Sequence, residues 1–377
     1  MTSPLQTVTP SSSDSDASVL SVGKVVGGEG WKQSAGRGRA GSGLTASKER
    51  AGRPLEVLAP ELREQYEDTG AVLGKGTYGV IRLLKDKRSG THVAARFIPL
   101  RLWSRQNEKE IILMAQLQHP CMVRFQKAVL TSADLVVITE AYGMGNTLMR
   151  FVDKKMLTES QARYLFQQLV AATELCHEVG ASGRDLNMET VILGKANPPG
   201  LKMLPLGNTR TALMRGSEQA VLPSSIYAAP EILQTRGPGA EGAVEQHDRA
   251  ELANGKQADV WSLGVILAAL VFHTYPFADK GPEKNVQRMF ERITAGEYQI
   301  PANVQVDDSL RDLLDRIFQI DPNKRITLQQ IKEHEWVKVN MPPKLRRRYQ
   351  PVLAEGVQSF TDVLMVLKSA RAASNNS

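Results

Sequence analysis

From Thr69 to Leu100 the chain carries two runs rich in β-branched residues, AVLGKGTYGVIRLLKD and THVAARFIPL. A turn at Arg88-Ser89-Gly90 separates them, which predicts a β-hairpin. A helical stretch follows from about Gln106 to Gln118, and strands return over Met122–Val129 and Leu135–Glu140. From Thr158 onward the apolar period lengthens to that of a helix. Thr158 and Gln161 form a capping box ahead of Leu165, Leu169 and Ala172, which share one face; Thr327 and Gln330 form a second box late in the chain. Phe360, Val363, Leu364 and Leu367 recur at helical spacing and predict a docking helix, packed on this domain or on a partner. A strand-rich part followed by a helix-rich part predicts an α+β fold of two lobes with a cleft between them.

Composition narrows this picture. The chain has 377 residues, enough for one large two-lobed domain. Its longest apolar stretch, Val260–Phe272, is shorter than the roughly 20 residues a membrane-spanning helix needs and reads as a buried core helix. Cys121 and Cys176 are too few for a disulfide framework and sit in apolar sequence, as small buried side chains do. The net charge of +7 is mild for this length and is no nucleic-acid signature. Part of the excess is a local cluster, Lys344, Arg346, Arg347 and Arg348. It reads first as a solvated linker, and otherwise as a site for an acidic partner, a membrane surface or an import receptor.

Residues 1–60 are rich in Ser and Gly, as in SSSDSD and GRGRAGSG, and poor in aromatics. Such sequence buries too little apolar area to offset its ordering entropy, so a disordered segment is expected. It has no apolar core of the secretory kind. Its Ser and Arg would suit a transit peptide, against which Asp14, Asp16 and Glu29 argue. The stretch 234–254, RGPGAEGAVEQHDRAELANG at its heart, is Gly-rich and charged and reads as a surface loop. Residues 338–377 read as a basic linker and an amphipathic helix.

Gly74, Gly76 and Gly79 form GKGTYG between two strands, where glycines let backbone amides approach phosphates. Ile81 and then Val93-Ala94-Ala95-Arg96 follow. With KEIILMAQLQHPCMVRF, ARYLFQQLVAATELCH, YAAPEIL, ADVWSLGVILAAL, YPFADK, RIFQIDPNKRIT and HEW, the chain resembles the eukaryotic protein kinases over residues 66–337. Within them it is similar to the plant and algal sucrose-nonfermenting-related Ser/Thr kinases of the osmotic-stress and abscisic-acid branch.

The resemblance implies a bilobal fold, with an antiparallel small lobe over about 66–140 and a helical large lobe over about 141–337. It implies that Glu231 pairs with Arg325, and that Asp259 and Trp261 belong to the central helix under the catalytic loop. Ile81, Ala94 and Ile192 would enclose adenine, Glu140 and Tyr142 would form the hinge beside Thr139, and Glu110 would position the strand lysine.

Several chemical positions depart from the family. Arg96 stands where the strand lysine belongs; a planar fork does not substitute for an ammonium point charge. The catalytic loop reads GRDLNMET: Arg184 and Asp185 remain, the latter at the position of the base, but Asn187 replaces its supporting lysine. Thr190 replaces the metal-binding asparagine, and Gly183 the histidine of the regulatory column. Pro205, in LKMLPLG, replaces the metal-binding aspartate, and no aspartate occurs from Leu186 to His247. Magnesium prefers hard oxygen ligands, usually carboxylates.

The expectation is therefore a pseudokinase with weak ATP binding and impaired Mg²⁺ binding, acting on protein partners such as an active kinase or its substrate. The alternatives are an active ATP-dependent Ser/Thr kinase and a non-catalytic nucleotide sensor. Ser217, Ser224 and Ser225 offer activation-segment hydroxyls, and a phosphate on one of them would pair with the Arg184 guanidinium. No membrane span or nucleic-acid partner is expected, and oligomeric state stays open. The location would be cytoplasmic or nuclear, with organelle targeting as the alternative.

Overall fold

The computed structural model describes residues 58–375 apart from 77–78, 117–118, 144–145, 153–156, 179–181, 183–185, 205–223, 236–249, 279–284 and 347–356. A short helix α1 (Pro60–Arg63) leads into β1 (Tyr66–Gly76), β2 (Gly79–Asp86) and β3 (His92–Pro99). The β2–β3 turn is held by the Asp86 carboxylate, which accepts the N–H groups of Arg88 and Ser89, and Gly90 adopts φ +71°. Helix α2 (Arg105–Gln116) follows, then β4 (Phe125–Leu130) and β5 (Asp134–Glu140). The five strands form an antiparallel sheet in the order β1-β2-β3-β5-β4. The small-lobe core lies on its two faces. Leu62, Tyr66, Leu84, Val93 and Ile138 fill one cluster; Ile98, Ile111, Met114, Phe125 and Val137 fill the other.

The large lobe begins with α3 (Leu148–Val152) and α4 (Glu159–Glu178). The capping box ahead of α4 forms: the Gln161 side chain accepts the Thr158 N–H at 2.9 Å, and Thr158 Oγ1 accepts the Gln161 N–H at 3.4 Å. Two short strands, β6 (Val191–Leu193) and β7 (Leu201–Met203), pair antiparallel under the cleft. Helices α5 (Pro230–Thr235), α6 (Ala250–Phe272), α7 (Val286–Ala295), α8 (Asp308–Ile317), α9 (Leu328–Glu333), α10 (Glu335–Lys338) and α11 (Pro343–Arg346) complete the lobe. The second capping box, Thr327 with Gln330, opens α9. Both cysteines are buried.

Helix α6 corrects two expectations. It starts at Ala250, so the end of the supposed surface loop 234–254 is helical, and so is its beginning, where α5 runs to Thr235. The rest of that loop lies outside the described residues. The extension also makes Gly255–Phe272 long and apolar enough to cross a membrane by length and composition, yet 83% of that window is buried inside the fold. It is the core helix of the large lobe. Trp261 on it stacks on Phe277 at 5.3 Å and meets Phe318 edge-on at 5.1 Å.

Beyond the lobe, α12 (Phe360–Ser374) returns to the small lobe and packs across α2 and β4. Its buried face is Val363, Leu367 and Ala370. Phe360 and Leu364, expected on that face, are 39% and 41% exposed, because the contact stripe is rotated toward Ala370. Gln358 seals the edge strand: its N–H donates to Gln126 O, and its side-chain oxygen accepts the Ala128 N–H at 2.7 Å. Arg371 reaches Glu108 of α2 through Nε at 3.2 Å and through its terminal nitrogen. The N-terminal segment 1–57 and Arg347 and Arg348 lie outside the described residues.

Candidate functional site: the cleft between the lobes

The upper wall of the cleft is built by β1–β3. Alternation along β3 puts Ala94 and Arg96 on one face, opposite Leu83 and Ile81 of β2 respectively. Arg96 Nη1 lies 3.8 Å from Glu110 Oε2 on α2, with both side chains largely buried. That distance is an ion pair without hydrogen-bond geometry.

In the glycine loop Gly74 faces Ile81 and Gly76 faces Gly79, after two irregularities in β1 between Asp68 and Gly74. Gly79 has φ +123°, and a Cβ there would run into the carbonyl oxygen of Phe97. Packing of β2 on β3 therefore demands this glycine, whatever the loop binds.

Of the residues expected around adenine, Ile81 of β2, Ala94 of β3 and Ile192 of β6 are each half-buried. Thr139 lies opposite Ala94 in the sheet, and its hydroxyl donates toward Ala94 O and Glu140 O at 3.5 and 3.3 Å. Gly143 (φ +60°) is seated so close to Ile192 and Leu193 that a side chain there would collide.

A residue that sequence reasoning passed over organises the hinge. Lys202 of β7 makes an ion pair with Glu140, and its ammonium sits 4.7 Å from the centre of the Tyr142 ring. Glu140 also accepts the Arg124 N–H at 2.7 Å. Burial, and then the Glu140 charge, push the Tyr142 hydroxyl up to about 12. Burial, with the nearby Lys202 cation second, holds His119 down at about 4. The side chains of Glu140 and Tyr142 are thus engaged with Lys202. The only signal of this in the sequence was a lysine three residues before Pro205.

The floor of the cleft is the turn from Leu186 to Val191. Asn187 Oδ1 accepts the N–H groups of Glu189 and Thr190 at 2.9 and 3.0 Å. Thr190 Oγ1 donates to Asn187 O at 2.9 Å and accepts the Asn187 N–H at 3.4 Å. Thr190 is 6% exposed, and its carbonyl accepts the Leu204 N–H at 2.9 Å, immediately before Pro205. A hydroxyl has one proton and two lone pairs. The Thr190 proton and one lone pair are spent on Asn187. Among the described residues, no three His, Cys, Asp or Glu side chains gather as they would around an ion.

Gly183, Arg184, Asp185, Pro205, Leu206 and Ser217 lie outside the described residues; Ser224 and Ser225 open a 3₁₀ turn, Ser224–Tyr227.

Beneath the floor the anchors are in place. Asp259 of α6 is 3% exposed and lies 2.8 Å from His177 Nε2 at the end of α4. The Arg325 guanidinium pairs with both oxygens of Glu231 at 2.8 and 2.9 Å, bonds Gln257 O, and sits 5.1 Å from the Trp261 ring centre.

This two-lobed arrangement, with its glycine loop, hinge and ion-paired helical floor, is that of a protein kinase. The chain belongs to the protein kinase family, whose domain matches residues 67–337. It is similar to the rice serine/threonine-protein kinase SAPK3, with 32% identity over 316 residues covering 82% of this chain and 90% of that one. Similarity to the Arabidopsis thaliana serine/threonine-protein kinase SRK2H is 33% over 306 residues, 79% of this chain and 81% of the relative. Among solved structures it resembles Rad53 1-466 in complex with AMP-PNP at a TM-score of 0.57 and 21% identity. That match covers 72% of this chain and 65%, under two thirds, of the Rad53 chain, and speaks to the fold.

Proposed function

We propose that this serine/threonine-protein-kinase-like chain is a pseudokinase that acts through protein contacts, as a scaffold or allosteric regulator of an active kinase or its substrate. The observation that carries this reading is the floor of the cleft. Where the family's metal ligands belong, Thr190 offers a buried neutral hydroxyl already bonded to Asn187, and Pro205 offers no side-chain ligand atom. These residues do not fit a magnesium ion, which takes carboxylate oxygens. Phosphoryl transfer is mostly positioning and charge neutralisation, so a kinase without its metal clamp loses roughly 10³-fold or more in rate. The family's anchoring ion pair and core helix are kept meanwhile, which favours selection for a surface.

A second reading, a nucleotide sensor, is favoured by half-buried apolar side chains at all three positions expected around adenine, Ile81, Ala94 and Ile192. An active Ser/Thr kinase using Asp185 and Arg96 is the third, and a cytoplasmic or nuclear location suits all of them.

The test is the melting temperature of the purified chain titrated with ATP, with and without magnesium, alongside phosphate transfer to a general protein acceptor. The pseudokinase reading expects no transfer and no magnesium-dependent shift. A shift independent of magnesium favours the sensor. Transfer that Asp185→Asn abolishes refutes both.

A further inference from the structure

We propose that Asn187 and Thr190 form one matched positioning unit that organises the floor of the cleft without a divalent ion, so that the order of this loop is indifferent to magnesium. The inference rests on the pseudokinase reading only for its context.

The two residues are bonded reciprocally. Asn187 supplies one oxygen to two consecutive N–H groups, of Glu189 and Thr190. Thr190 answers with a hydroxyl that donates to Asn187 O and accepts Asn187 N–H, while its own N–H also reaches Asn187 O at 3.3 Å. Each side chain bonds the main chain of the other residue, so both hold the same turn. A lysine at 187 has no acceptor and could take neither N–H. A valine at 190 would keep the shape and lose both hydroxyl bonds.

The ring of bonds lies between fixed points. Leu186, Met188 and Val191 are buried on either side of it, Met188 O accepts the Met149 N–H at 3.1 Å, and Thr190 O accepts the Leu204 N–H. Through that last bond the turn also sets where the chain leaves β7 toward Pro205.

The experiment is a double-mutant cycle on the full chain, Thr190→Val, Asn187→Ala and both together, with Thr190→Ser as the control that keeps the hydroxyl. Melting temperatures are read in chelator and in millimolar magnesium chloride, and phosphate transfer is read on the same samples. A lost buried hydrogen-bond partner lowers the melting temperature by about 2–8 °C in a domain of this size. Each single variant is expected to show such a loss, Thr190→Ser little of it, and the double variant clearly less than the sum of the two, with or without magnesium. If Thr190→Val fails to fold while Thr190→Ser folds, the hydroxyl is equally shown to be required. Additive or absent losses overturn the unit. A wild-type melting temperature that rises with magnesium, and a rise that Thr190→Val removes, overturns the proposal by making Thr190 an ion ligand. Phosphate transfer together with intact coupling would refute the pseudokinase reading and leave this inference standing.

Discussion

Leu367 gives the sharpest test of how the end of the chain is used. It is 1% exposed and sits with Val363 and Ala370 in a cluster with Ile98, Leu100, Ile111, Met114, Phe125 and Val137 of the small lobe. Leu367→Ala removes three buried carbons and leaves a cavity between α12 and α2. Such truncations cost about 2–5 kcal/mol, depending on how far the site can collapse. Here collapse is restrained, because Gln358 ties one end of the helix to β4 and Arg371 ties the other to Glu108. At about 2–4 °C per kcal/mol for a domain near this size, the melting temperature should fall by roughly 5–15 °C. Circular dichroism melts would read it, with Met365→Ala as the reference. Met365 is 56% exposed on the same helix, and surface changes of that kind stay within about 0.5 kcal/mol. Hydrogen exchange at the α2 amides should rise in Leu367→Ala and stay unchanged in Met365→Ala. Equal melting temperatures for the two variants would mean that α12 is not seated on the small lobe in solution, and the reasoning would fail.

Three further outcomes are expected. Glu231→Ala strands a guanidinium whose side chain has no exposure; breaking a buried pair costs about 3–5 kcal/mol, read by urea denaturation, and a loss under about 1 kcal/mol would contradict the burial. Gly79→Ala places a methyl against Phe97 O at φ +123° and should cost about 2–3 kcal/mol or more through strain and overpacking; a neutral melt would mean the loop adopts another path. His119 is held at about 4 in the fold against about 6.5 in the unfolded chain, so protonation favours unfolding. The stability present above about pH 6.5 should be lost as pH falls toward 4, by about 3 kcal/mol in all. His119→Asn keeps an acceptor for the Cys121 N–H that His119 Nδ1 now takes and should flatten this part of the pH profile; identical profiles would assign the acid loss elsewhere.

Much of the fold was legible in local pattern. The hairpin, the helix after β3, both capping boxes and the core helix follow from short-range hydrogen bonding and apolar period, which a linear sequence records directly. The family's motifs carried the Glu231–Arg325 pair. Tertiary structure decided the rest. Whether α12 docks at home or elsewhere, and on which stripe, depended on the shape of α2 and β4. Those elements lie more than 200 residues away and bury Val363, Leu367 and Ala370 instead of the Phe360–Leu364 flank. Lys202 became the partner of Glu140 only when β7 came to lie beside the hinge. Asn187 and Thr190 read as two separate losses in the chain and as one bonded turn in the fold. Sequence names the groups that can donate and accept; only the path of the backbone decides which of them meet, and a contact made at 3 Å is lost when that path moves by an ångström or two.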